Sequence, residues 1–243
     1  SDYTDSSGNG LNGFAQGSGN TVGVTGTGRR TGVLQLTGLG NAGVNDDNLL
    51  DLGDTFTIAA WIKPTGALAS GAAEHIVRKL NNTGGGGTGS EVYYLRLNGT
   101  GTDGNTGTQL DLRAQANTPV TDSLAGRALY SPGPVMGGDW TFVAATYDGP
   151  NPVSAPYINT DQPVTFGSAG PAPRATTDVL RIGRGPTGGG FVGFIDDVWI
   201  FNHVLSASEL RDLGAVAVPE VAAALLGLQC LAIVGWFGGR RRK

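Results

Sequence analysis

Glycine-rich turns recur between short apolar runs along most of this chain, and few folds tolerate that rhythm. The segments NNTGGGGTGS (81–90), NGTGTDGNTG (98–107), SPGPVMGGD (131–139), YDGPNP (147–152) and RGPTGGG (184–190) each combine glycine with proline, asparagine or aspartate, the residues that turns require. The 42 glycines show no fixed period, which excludes a collagen-like repeat.

Between the turns the apolar residues alternate. In TQLDLRAQ, Leu110, Leu112 and Ala114 oppose Gln109, Asp111, Arg113 and Gln115, the pattern of a strand with one solvated face. TFTIAAWIKP places Phe56, Ile58, Ala60 and Ile62 on one face. EVYYLRLNG, WTFVAATYDG and FVGFIDDVWIFN are further runs of aromatic and β-branched residues. Many short strands joined by such turns predict an all-β, antiparallel jelly-roll sandwich over residues 1–213. Pro150, Pro152 and Pro156 crowd NPVSAPYINTDQPV and predict an edge strand there, because proline cannot donate to a central ladder. A helix is expected at 207–213. Ser206 and Glu209 form a capping box and Leu205 with Leu210 a hydrophobic staple.

Residues 214–217 read as a linker. From Val221 to Gly238 no residue is charged, and a helix of that length spans roughly 27 Å, close to the bilayer's hydrocarbon thickness. A single transmembrane helix is therefore expected at 221–238, with the basic tail Arg240, Arg241, Arg242 and Lys243 retained on the cytoplasmic side. The first residue is Ser1 and no amino-terminal secretion signal precedes the body, as in a mature chain or a fragment.

Apart from that tail and Glu220, twelve basic residues face nineteen acidic ones, which excludes nucleic acid as a partner. The lone Cys230 lies in the apolar run, so the body has neither a disulfide nor a cysteine-based zinc site.

Two resemblances follow. Val218, Pro219 and Glu220, then one apolar run, then an arginine-rich terminus resemble the PEP-CTERM sorting signal of exported bacterial proteins, with Val221 where that signal has its second proline. The resemblance implies an exosortase-type membrane transpeptidase as partner, insertion in the inner membrane through the helix before processing, and delivery to the outer cell surface or extracellular matrix. DSSGNGLNG (5–13), GDTFTIAAWIKP (53–64), WTFVAATYDG (140–149) and GFIDDVWIFNHVLSASEL (193–210) are similar, in order, to the hallmarks of the laminin-G-like, concanavalin-A-like jelly rolls. That fold serves lectins, adhesins, accessory modules and glucanases alike.

Three kinds of site are weighed. Asp5, Asn9 and Asn12 could supply oxygen to a structural Ca²⁺, and the resemblance adds Asp196 of the last strand. Alternation puts Asp196 on the face of Phe194, Val198 and Ile200, where a carboxylate needs a metal or a partner. The other reading has Asp5 capping a turn and Asp196 meeting backbone amides. The glucanase branch of this fold works with two or three carboxylates alternating on one strand, an acid and a nucleophile about 5 Å apart, but Glu74, Glu91 and Glu209 are isolated and Asp196 and Asp197 point to opposite faces. His75 and His203 lack a nucleophile motif nearby. No catalytic residue is assigned. Trp61, Tyr93, Tyr94, Tyr147 and Trp199 could stack on sugar rings or could belong to the core.

The expected function is a non-catalytic surface or matrix module that binds an extracellular polysaccharide or a surface protein. The alternatives are a structural subunit of an envelope coat or filament and, less favoured, a polysaccharide hydrolase.

Overall fold

The computed structural model describes residues 3–18, 20–25, 31–65, 68–81, 91–99, 109–114, 138–151, 153–159, 166–167, 172–184, 189–215 and 232–236. In chain order its strands are β1 (Gly13–Gly17), β2 (Asn20–Thr25), β3 (Thr31–Thr37), β4 (Gly40–Val44), β5 (Thr55–Pro64), β6 (Ala73–Leu80), β7 (Glu91–Asn98) and β8 (Gln109–Ala114). They continue with β9 (Thr141–Asp148), β10 (Val153–Ile158), β11 (Phe166–Gly167), β12 (Leu180–Ile182), β13 (Val192–Phe201) and β14 (Ala232–Trp236). One helix, α1 (Ala207–Ala215), follows β13.

The strands form two antiparallel sheets. A six-stranded sheet runs β1-β4-β12-β6-β7-β8, and an eight-stranded sheet runs β11-β10-β9-β5-β13-β3-β2 with β14 against β13. The inner faces share one apolar core. Phe56, Ile58, Ala60 and Ile62 of β5 enter it together, as the alternation predicts, and meet Tyr93, Leu95, Leu97, Leu110 and Leu112 of the other sheet. At one end Lys79 is fully buried, its Nζ donating to Asp46 Oδ1 at 2.8 Å and Asp51 Oδ1 at 3.1 Å, which offsets the desolvation of its charge.

The capping box forms in full. The Ser206 amide donates to Glu209 Oε2 at 2.7 Å, and the Glu209 amide donates to Ser206 Oγ at 3.3 Å. Leu205 and Leu210 pack in the same cluster. The helix continues through Gly214 and Ala215, into the stretch expected to be linker.

Two expectations are corrected. The proline-rich β10 is not the outermost strand, because the two-residue β11 pairs outside it. Within the span expected to be a transmembrane helix, Ala232–Trp236 is strand β14, paired with Val198–Phe201 of β13. β3 pairs only with the Val192–Ile195 half of β13, so the remaining edge offers unpaired backbone groups, and AIVGW is rich in strand-forming residues. The rest of that span, with Val218, Pro219, Glu220, Arg240, Arg241, Arg242 and Lys243, lies outside the described residues. Among the described residues no helix is long and apolar enough to cross a membrane.

Candidate functional site

Alternation along β6, β7 and β8 sends one set of side chains into the core and the other to the outer face of the six-stranded sheet. On that outer face a single row crosses all six strands in register: Phe14 beside Gly43, then Arg181, Arg78, Tyr94 and Arg113. The next row holds His75, Arg96 and Asp111, with Asn98 diagonal to them on β7. Gly43 has no side chain because the Phe14 ring occupies its place; a Cβ there would lie 2.7 Å from the ring.

This layer is polar yet closed. Asp111, Tyr94 and Asn98 are 0% exposed, although TQLDLRAQ alone reads as a strand with one solvated face. Charge pairing makes the burial tolerable. Asp111 Oδ2 accepts from Arg96 Nε at 2.9 Å, Asn98 Nδ2 at 2.9 Å and the Tyr94 hydroxyl at 3.2 Å. Glu91 joins two arginines, Arg78 at 2.9 Å and Arg113 at 3.5 Å. The Tyr94 ring is covered by cations, with the Arg96 guanidinium 4.5 Å and that of Arg113 5.5 Å from its centroid. Burial first, then Asp111, raises the Tyr94 phenol far above its usual range, so it stays a donor.

His75 closes the cluster with its ring edge-on to Tyr94 at 5.4 Å. Burial first, then Arg78 and Arg96, lowers its pKa to about 3, so the ring is neutral at ordinary pH. Its Nδ1 lies 3.3 Å from the Gly189 carbonyl, which only accepts, so the proton sits on Nδ1 and Nε2 carries a lone pair. Gly189 has φ 65°, and a Cβ on it would come within 2.8 Å of His75 Nδ1.

The outer face of the eight-stranded sheet is different. Ala59, Phe142, Ala144, Tyr157 and Phe201 form a second apolar cluster there with Leu205 and Leu210, and Trp61, Trp199 and Leu213 pack against it. Thr57 anchors the approach to the helix: its Oγ1 donates to the His203 carbonyl at 2.8 Å and accepts from the Leu205 amide at 3.0 Å. Trp61 and Trp199 therefore flank Phe142 at 5.6 and 6.5 Å as packing residues. Tyr93 and Tyr147 lie in the main core. Of the five aromatics proposed for stacking, only Tyr94 belongs to the polar face, and its ring is covered.

Of the expected cation ligands, Asp5, Asn9 and Asn12 lie on the loop ahead of β1 and Asp196 lies on β13. Asp5 Oδ1 accepts the Ser7 amide at 2.8 Å, while Oδ2 accepts the Ser7 hydroxyl at 2.8 Å and the Leu11 amide at 3.0 Å. Asn12 Oδ1 accepts the Asp5 amide at 2.9 Å, and Asn9 donates to Ser7 Oγ. These oxygens are committed to holding the loop, an arrangement that does not fit an open Ca²⁺ site, and no step is derived through one. Asp196 is buried in β13 and accepts the Asp197 amide at 3.0 Å. It shares a face with Phe194 but not with Val198 and Ile200. Asp197 takes a left-handed conformation, φ 45°, in a bulge between Asp196 and Trp199 that reverses the alternation. Among the described residues no group of three or more His, Cys, Asp or Glu could hold a metal.

Sequence reasoning passed over the polar cluster because Arg96, Asn98 and Asp111 look like the solvated sides of ordinary strands. The available signal was a carboxylate and two arginines on strands joined by a single hairpin.

No curated protein sequence matches the chain. Several solved structures share its fold. Domain 4 of AbnA, a GH43 extracellular arabinanase from Geobacillus stearothermophilus in complex with arabinotriose, superposes with TM-score 0.64 at 20% identity, over 88% of this chain and 93% of that one. The binding domain of botulinum neurotoxin DC in complex with SialylT gives TM-score 0.60 at 13% identity, over 88% of this chain and 48% of that one. A heptameric SAP-like pentraxin from Limulus polyphemus gives 0.50 at 13%, over 67% and 70%. At such identities the likeness is one of fold. The Laminin_G_3 description, "Concanavalin A-like lectin/glucanases superfamily", matches residues 37–211, and with the two-sheet sandwich in place the chain belongs to that family.

Proposed function

We propose that this chain is a non-catalytic binding module for an extracellular polysaccharide, taken at the outer face of the six-stranded sheet. The observation that carries the reading is the buried polar layer there, in which His75, Asn98 and Asp111 each keep a buried atom with no hydrogen-bond partner among the described residues. Native folds seldom leave such atoms unpaired except where a ligand, ion or ordered water completes them. A structure of the same fold was solved with arabinotriose, which supports the ligand class. The absence of catalysis is argued from Asp111 and Glu91, carboxylates bonded to arginines instead of standing as a free acid and nucleophile.

Display at the outer surface rests on the sequence of the tail. Val218, Pro219 and Glu220, the apolar run and Arg240 to Lys243 support recognition by an exosortase-type transpeptidase and transient anchoring in the inner membrane before Ala232–Trp236 pairs with β13. A glycan array probed with the full chain in a non-ionic, sugar-free detergent tests the binding reading. Signal on polysaccharide features is expected, and a blank array overturns it. A second reading, a coat or filament subunit, is favoured by the pairing of β14 along β13, since a strand that closes its own sheet can also close a neighbour's. Filaments of the full chain under the electron microscope would favour that reading over the first.

A further inference from the structure

The Asp111 carboxylate is used unevenly. Its Oδ2 accepts three hydrogen bonds, from Tyr94, Arg96 and Asn98, whereas its equally buried Oδ1 accepts none from the described residues. Asn98 spends its amide nitrogen on Asp111, and its Oδ1 is likewise buried and unpartnered. His75, held by Gly189 through Nδ1, leaves Nε2 in the same condition. All three atoms are acceptors, and they stand on adjacent strands β6, β7 and β8 around one hydrogen-bonded cluster. Leaving a buried acceptor unpaired costs the full desolvation of that group, so the three together call for a complement that brings hydrogens.

The surroundings select among such complements. A cation would stand against the guanidinium groups of Arg78 and Arg96, the same charges that oppose protonation of His75. An anion could accept from Arg78 Nε and Arg113 Nε, which are buried without a partner as well, but it would bring no hydrogen to the three acceptors and would face the Asp111 carboxylate; a hydroxyl group both donates and accepts. Stacking is closed off, because Arg96 and Arg113 cover the Tyr94 ring. What remains is a neutral group with several O–H bonds; all three atoms are closed to solvent, so it reaches them only as the Arg96 and Arg113 side chains, 16% and 32% exposed, move aside.

We propose that His75 Nε2, Asn98 Oδ1 and Asp111 Oδ1 form a hydroxyl-reading subsite for an uncharged sugar unit, each acceptor taking the hydrogen of one hydroxyl group. This rests on the binding-module reading and goes further, naming the atoms that read the ligand and the charge class they admit. A site built to bond hydroxyl groups discriminates strongly against ligands that lack them, because its own buried groups are then left unpaired.

The test is affinity electrophoresis of the full chain in a non-ionic, sugar-free detergent. The gels carry neutral polymers (arabinan, xylan, glucomannan) or acidic ones (polygalacturonate, alginate). Retardation by at least one neutral polymer and by neither acidic one is expected. Asp111→Asn, which places an N–H donor at the acceptor position, should weaken that retardation at least tenfold. Should Asp111→Asn fail to fold by circular dichroism, Asn98→Ala gives the same readout without touching the partner charge of Arg96. Leu210→Ala, on the opposite face, should lower stability and keep the retardation, separating lost binding from lost fold. Unchanged retardation in folded Asp111→Asn or Asn98→Ala means that ordered water completes these atoms, and the proposal falls while the module reading stands. Retardation by acidic polymers alone overturns the charge class. No retardation of the wild type by any polymer removes the binding-module reading as well.

Discussion

The two outer faces of the sandwich are finished by opposite means. Over the eight-stranded sheet the chain lays its own apolar cover, with Leu205 and Leu210 settled on Ala59, Phe142, Tyr157 and Phe201. Over the six-stranded sheet the cover is ionic, with Arg78, Arg96 and Arg113 tied to Glu91 and Asp111 around Tyr94. An apolar cover is complete once its area is buried, since dispersion and the hydrophobic effect have no direction to satisfy. A polar cover is complete only when every donor and acceptor is matched. The unmatched acceptors of His75, Asn98 and Asp111 are the reason the proposed ligand is assigned to the second face.

Substitutions that exchange the character of the two faces should separate them. The largest effect is expected from Asp111→Ala, which strands the Arg96 charge and leaves the Tyr94 and Asn98 donors without their shared acceptor. Breaking a buried pair from one side costs about 3–5 kcal/mol, read as a lower urea midpoint. A loss below about 1 kcal/mol would show that water already replaces these bonds. Next is Leu210→Ala, 1% exposed in the apolar cover, with an expected loss of about 2–4 kcal/mol by the same measurement.

A smaller effect distinguishes the faces by pH. The folded pKa of His75 lies below its unfolded value, so its contribution is fully present above about 6.5 and is lost as pH falls toward about 3. Wild-type stability should therefore drop between pH 7 and 4.5, and His75→Gln should drop less; equal slopes would refute the neutral, buried ring. Ser206→Ala should have the smallest effect, about 1 kcal/mol in thermal unfolding, because it removes one exposed cap of α1.

Features written in local sequence were readable, and those set by distant partners were not. The capping box lies within four residues, so Ser206 and Glu209 identify the start of α1 unaided. The inward set Phe56, Ile58, Ala60 and Ile62 follows from period two alone. Alternation in TQLDLRAQ separates the two faces of β8 correctly, but it reports polarity and not contact with water, so Asp111 reads as solvated although arginine and tyrosine bury it. On β13 the alternation fails outright, because aspartate at Asp197 enters the left-handed region with no glycine to announce the bulge. The apolar tail could be judged only by its own hydrophobicity, whereas β14 depends on the half of β13 that β3 leaves unpaired, more than thirty residues upstream.

The pairing of β5 with β13 also sets an order of events in time. Thr55–Pro64 sits in the middle of the eight-stranded sheet, yet one of its two neighbours, Val192–Phe201, is among the last parts of the body to be synthesised. The meander β6-β7-β8 can pair as soon as it is made, but the core it faces cannot close until β13 arrives. Contacts of such sequence separation form slowly, and until they form the apolar edges stay open to chaperones. A chain wired in this way keeps its core open until nearly the whole domain has been made, and only then closes it.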